Sequence, residues 1–346
     1  MTNTALVVLG MHRSGTSALM GSLELAGVYL GRNLTPPASD NKKGFFEHDE
    51  VWRIHDELFS KLGMSSANIH SMRANWENAP PANETKARLL AILENDMANR
   101  PLWGIKDPRL CRFFPLWPDV LRSLNARPAV ILALRHPAEV VASLVARDHL
   151  EPIHALVLWL RYTLEAERAS RGLQRAVQLY PNLLTNWRTE FARLAEALNL
   201  PLACDGQPTS DIDKFLDNTM RHHVRETDWS DCTDTWERMA HKVYATLTTR
   251  PECEWADVMD SIHGTLRCAE DTARILPSPL LRLWRSNTDE RQDAVNIIDY
   301  PHEIERLRAT IVHLEETLKT ISASRSWRAT APIRRLTEWA RGRSRA

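Results

Sequence analysis

Residues 5–19 read ALVVLGMHRSGTSAL, and how this stretch folds decides the architecture around it. Residues 6–9 are an unbroken apolar run, as a strand covered on both faces would be. Gly10, Ser14 and Gly15 interrupt it. Apolar residues then return at Leu19, Leu23 and Ala26, a helical spacing that ends near Gly27. Strand, glycine loop and helix, in that order, open an α/β domain built on a parallel sheet.

The loop Gly10-Met11-His12-Arg13-Ser14-Gly15-Thr16-Ser17 matches the phosphate-loop pattern G-x-x-x-x-G-K-[ST] at both glycines and at the final hydroxyl. Thr16 stands where the lysine belongs. Backbone N–H groups and a helix N-terminus can still cradle an oxyanion. Arg13 supplies charge from inside the loop, and its planar fork suits phosphate oxygens. A glycine turn with no ligand is the plain alternative. A P-loop kinase or NTPase would need the lysine that is absent. A nucleotide-binding scaffold without catalysis is the rival from another class.

Outward from the loop, residues 33–44 are rich in Pro, Asn, Asp, Ser and Lys and are expected to form a long loop. Helices are expected at 51–62 and 84–95, with a Pro/Asn-rich patch at 75–83 between them. Strands are expected at 102–105, 129–134 and 177–180. Helices are expected at 138–147, 153–170, 189–198, 211–216, 236–247 and 255–276. Arg13, Lys106 and Arg135 each fall just past a strand. Ligands of open α/β sheets sit at those carboxyl ends.

Together the motifs resemble those of PAPS-dependent sulfotransferases, most closely the bacterial and Golgi-type carbohydrate and protein enzymes. MHRSGTSAL is similar to that family's 5′-phosphosulfate loop, with Arg13 in its basic position. LRHPAEVVAS places Arg135 and Ser143 at the spacing the family uses for the 3′-phosphate. LYPNLLTNW resembles the segment whose tyrosine, here Tyr180, lies near the adenine, although Pro181 and Asn182 replace its acidic residues. FLDNTMRHH resembles a late motif with a cofactor-facing basic residue, here Arg221. The resemblance covers about residues 5–225. It implies a P-loop-type parallel sheet flanked by helices, PAPS as cofactor with PAP as product, and no metal. Its loop contacts would be His12, Arg13, Ser14, Gly15, Thr16 and Ser17.

Sulfuryl transfer needs positioning, a base for the acceptor and cations for developing charge. Lys106, in GIKDPRL, is the expected cation. The cytosolic enzymes of the family carry a histidine two residues past the corresponding lysine. Pro108 stands there, so the base must come from elsewhere. Glu47, in KKGFFEHDE, is the candidate: Phe45 and Phe46 would raise its pKa, and related enzymes use a glutamate in a comparable stretch. His48 is the runner-up. Trp52, Trp76, Trp103 and Trp117 could stack on a sugar or simply pack in the core. The acceptor is expected to be a carbohydrate or glycolipid hydroxyl.

Composition sets the frame. The 346 residues are 43% hydrophobic and 25% charged, with a formal net charge of +0. That is ordinary globular composition, and it argues against nucleic acid as a partner. The five cysteines are widely spaced and odd in number, pointing to a reducing, cytoplasmic compartment. Residues 1–225 are expected to form the PAPS-binding domain, 226–285 its helical completion and 286–346 an extension. In the extension, Ile304, Leu307, Ile311, Leu314, Leu318 and Ile321 make a heptad seam, so self-association through 304–321 is expected. Residues 325–346 hold seven arginines against one glutamate. They resemble the SxSWRxTxPxR tail of bacterial glycan-building enzymes. The expected partners are an anionic membrane surface or a glycan-assembly protein, with a solvated basic tail that binds neither as the alternative.

Overall fold

The computed structural model describes residues 3–38, 41, 43–202, 208–216 and 234–275. All of these fall within one compact unit, Met1–Ile275. Arg221, the heptad seam, the basic tail and the boundaries expected at 225 and 285 lie outside the described residues.

The elements run β1 (Asn3–Leu9), α1 (Thr16–Leu25), α2 (Asp49–Lys61), α3 (Pro80–Asp96), β2 (Leu102–Lys106), α4 (Leu110–Phe113), α5 (Trp117–Ser123), β3 (Ala126–Leu134), α6 (Pro137–Asp148), α7 (Pro152–Ala169), β4 (Gln174–Leu179), α8 (Tyr180–Leu198), α9 (Pro208–Phe215), α10 (Thr235–Thr249) and α11 (Trp255–Ile275). The four strands form one sheet in the order β2-β1-β3-β4. Every pairing is parallel, and Leu6 lies level with Gly104 on one side and Ala129 on the other. This is the α/β class expected, a P-loop-type parallel sheet flanked by helices.

The apolar run of β1 is unbroken because both its faces are covered. Ala5, Val7 and Leu9 join Trp103, Ile105, Val130 and Leu132 in a core shared with α2, α3, α7 and α10. Leu6 and Val8 join Ala129 and Ile131 in a second core under α1 and α8. Period-two alternation thus feeds two layers rather than one.

Several boundaries differ from the sequence expectation. The Pro/Asn-rich patch does not extend to residue 83, because α3 begins at Pro80. Prolines in a first turn lack N–H groups that would have no helical partner anyway, so Pro80 and Pro81 start the helix rather than block it. Tyr180 opens α8 and does not end β4. The expected helix at 189–198 is the second half of α8, past Asn186, which departs from helical geometry at φ −154 and ψ 75. The short helices α4 and α5 carry too few residues for a periodic signal.

The long segment before α2 folds back on itself. Thr35 N–H donates to Glu47 O at 2.8 Å, and Asp49 N–H donates to Asn33 O at 3.0 Å. Leu34 and His48 form an antiparallel bridge. The end of this segment, with Glu47, is thereby brought beside the carboxyl end of β2.

Candidate oxyanion site

The loop leaves β1 and turns sharply into α1. Gly15 holds φ at +82, and a Cβ there would stand 2.0 Å from the Tyr180 ring. Tyr180 therefore packs directly on the loop, and only glycine fits beneath it. Gly15 is the N-cap of α1; no side chain caps the helix and no acidic residue enters its first turn. The positive end of α1 is open to an anion. Ser14 and Thr16 are buried, while Ser17 is partly exposed.

Arg13 takes the left-handed conformation at φ 67. Its Nε donates to Ser143 Oγ on α6 at 2.8 Å. Arg135, just past β3, donates from Nη1 to Arg13 O at 3.1 Å and from Nε to Glu139 Oε2 at 2.8 Å. Its guanidinium lies 5.0 Å from the centre of the Tyr180 ring. Arg13, Ser143, Arg135 and Tyr180 are thus brought into one cluster. The Ser143 hydroxyl accepts from Arg13, and Arg135 braces the loop backbone through Arg13 O.

On the other side, Lys106 Nζ donates to Glu47 Oε1 at 2.6 Å, Phe45 O at 2.9 Å and Ser17 Oγ at 3.1 Å. Lys106 is 2% exposed and Glu47 5%, so the pair is shielded from water. Burial, aided by Asp107, pushes the Glu47 carboxyl above its ordinary value, against the pull of Lys106 and Arg109.

His48, the runner-up for the base, is buried beside Asp96. Its ring bonds Asp96 at 3.2 Å, and Asp96 also accepts from Tyr29 Oη and from Arg32 N and Nε. Burial works against the charge on Asp96, but those donors outweigh it and hold its pKa at about 2. Nε2–H of the imidazole donates to the Asp96 carboxylate, and Nδ1 has no hydrogen-bond partner among the described residues.

His12 is partly exposed and lies 5.6 Å from the Tyr162 ring. Burial, then Arg147 and Arg109, lower its pKa well below the ordinary value.

Sequence spacing gave no sign of a second buried dyad. His55 Nδ1 bonds Asp107 Oδ2 at 2.7 Å, and Arg109 donates to Asp107 Oδ1 from its backbone N–H at 2.9 Å and from Nη1 at 3.2 Å. Burial opposes the Asp107 charge, yet Arg109 and His55 keep the carboxyl well below its usual range. This network fixes the turn after Lys106. Trp103 and Trp117 are fully buried and Trp76 nearly so; they are core, and Trp52, partly exposed under Arg109, is the remaining stacking candidate.

Among the described residues no group of three or more His, Cys, Asp or Glu could hold a metal ion, and no helix is long and apolar enough to cross a membrane.

No family model matches the chain, and no curated protein matches it. Solved structures offer distant likenesses. A sulfotransferase domain from the Synechococcus PCC 7002 olefin synthase aligns with a TM-score of 0.39 at 15% identity, covering 71% of this chain and 96% of that one. A sulfotransferase domain from the curacin biosynthetic pathway gives 0.39 at 13%, covering 72% and 99%. The sulfotransferase STF9 from Mycobacterium avium gives 0.36 at 17%, covering 65% and 70%.

Proposed function

We propose that this protein is a PAPS-dependent sulfotransferase acting on a hydroxyl of a carbohydrate or glycolipid. One observation carries the reading. Three cationic side chains from separate strand ends, Arg13, Arg135 and Lys106, gather around the open N-terminus of α1, with a buried glutamate 2.6 Å from the lysine. The uncapped helix end and the glycine floor under Tyr180 fit a phosphate-type oxyanion.

PAPS would supply the sulfuryl group on a phosphate that needs no protonation to leave. The first-turn N–H groups of α1, with Ser14, Thr16 and Ser17, hold its 5′ side. Arg13 adds its charge to that side, while Arg135 and Ser143 hold the 3′-phosphate, with Tyr180 beside the base. Because Ser143 and Arg135 both bond Arg13, the two phosphate positions are mechanically linked. Lys106 stabilises charge on the transferring group. Glu47 accepts the acceptor's proton, its raised pKa matching that role.

The test is transfer of ³⁵S from labelled PAPS to a panel of glycans and glycolipids. Movement of label supports the assignment; tight PAP binding with no transfer across the panel would leave a nucleotide-binding scaffold. Calorimetric titration with PAP checks the binding roles: Arg13→Ala and Arg135→Ala should each weaken affinity at least tenfold, an amount set by losing one charge-assisted contact of roughly 1.5–3 kcal/mol. Self-association through 304–321 and membrane or partner contact through 325–346 belong to the same proposal, checked by liposome co-sedimentation of the full chain against one ending at 300.

A further inference from the structure

An ammonium group has three N–H donors. On Lys106 all three are taken, by Glu47 Oε1, Phe45 O and Ser17 Oγ. An arriving oxyanion finds no proton there until one acceptor leaves. Ser17 is tied into the first turn of α1, where its hydroxyl also donates to Phe45 O and accepts from Asn41 Nδ2. Phe45 O belongs to the backbone. Glu47 is the one acceptor of the three that carries charge and ends a rotatable side chain.

We propose that Glu47 is the built-in occupant of the oxyanion position at Lys106, and that it exchanges with an oxyanion of the bound nucleotide, taking up a proton as it lets go. The inference rests on the sulfotransferase reading for the identity of the nucleotide, not for the exchange itself.

The surrounding loop lets the side chain move while its backbone stays. Phe46 sits at φ 56, in a conformation uncommon for a residue with a side chain. Its ring fills a socket over Gly21, where a Cβ would come 2.7 Å from Phe46 Cζ and 2.5 Å from Phe215 Cζ. Phe46 and Phe215 meet edge-on at 5.6 Å, and Lys43 Nζ donates to Phe215 O at 2.6 Å. Thr35 N–H holds Glu47 O. Glu47 is thus pinned on both sides of its Cα.

The charged groups facing Glu47 are Lys106 and Asp107 at the end of β2 and Arg109 in the turn beyond. With Lys106 engaged by a ligand, burial and Asp107 both favour the protonated acid. Arg109 alone opposes them, and it is already bonded to Asp107 and Asp56. Nucleotide binding therefore selects protonated Glu47 in the binary complex, and that proton passes to water as the acceptor seats, restoring the carboxylate that takes the acceptor's proton. The sign follows: protons are taken up on binding, and affinity falls as pH rises through the window between the free and bound pKa values, both above the ordinary carboxylate value.

The experiment is calorimetric titration of the full chain with PAPS and with PAP, in buffers of contrasting ionisation enthalpy, for wild type, Glu47→Gln and Glu47→Ala. Circular dichroism verifies that each variant is folded. The expected result is a buffer-dependent heat in wild type that both variants lack. The ratio of wild-type to variant affinity should also fall as pH rises through that window; this ratio cancels ionisation of the ligand's own 3′-phosphate. Nucleotide binding with buffer-independent heats and parallel affinities would overturn the exchange and leave the PAPS reading standing. A third titration uses inorganic sulfate. Glu47-dependent proton uptake with sulfate but no nucleotide binding would keep the exchange and remove PAPS. No Glu47-dependent uptake with any of the three probes overturns the exchange outright.

Discussion

Two residues carry most of the chemistry proposed for the site. Glu47 is raised in pKa by burial, as a base working near neutrality requires. Glu47→Gln keeps the shape and a bond to Lys106 but removes the proton acceptor. Turnover of labelled PAPS should fall by ~10²–10⁴; turnover close to wild type would remove Glu47 from that role. Gly15 carries the other prediction. A side chain there meets left-handed strain of about 1–2 kcal/mol and a tyrosine ring at 2.0 Å. Gly15→Ala should displace Tyr180 and cost at least tenfold in PAP affinity, an energy of about 1.4 kcal/mol. Tyr180→Ala in the same chain should recover part of the loss by clearing the space, which a merely unfolded loop would not do.

At the scale of elements, Asp96 fastens three pieces together: the end of α3, the turn at Tyr29 and Arg32, and the N-cap of α2 at His48. Its pKa of about 2 lies below the ordinary aspartate value. A depressed acid contributes stability that is complete above its unfolded pKa and is lost as pH falls through the folded one. Acid unfolding between about pH 4 and pH 2 should therefore remove on the order of 1–2 kcal/mol in wild type. Asp96→Asn should show a lower melting temperature at neutral pH and a flatter stability profile across that window. An identical profile would deny Asp96 the role. These connections also show what a sequence can tell. The strands were legible because β1 and β3 are apolar on both faces, and the phosphate loop because its glycines and hydroxyls are consecutive. Lys106 and Arg135 were legible from their places past strand ends. The partners were not: His48 finds Asp96, and His55 finds Asp107, across separations of 48 and 52 residues that no local spacing encodes. The same holds for the bond between Arg13 and Ser143, 130 residues apart.

For the molecule as a whole, the site is a junction of β1, β2, β3, α1, α6, α8 and the segment before α2. A ligand that binds there binds the folded state alone. PAP at one hundred times its dissociation constant should add about 2.7 kcal/mol to folding, seen as a melting-temperature rise of a few degrees. Arg13→Ala and Arg135→Ala should lose most of that rise at the same PAP concentration; an equal rise in both variants would place PAP elsewhere. The junction also has a history in time. Arg13 and its partner Ser143 are 130 residues apart in the chain, and synthesis at ~5–20 residues per second separates their appearance by roughly ten seconds. Through that interval β1, apolar on both faces, has emerged while β3 and α6 have not. The loop that would grip an anion is thus made well before the partners that render it competent. The nascent chain must keep a bare, sticky strand from finding the wrong neighbour until its own arrives.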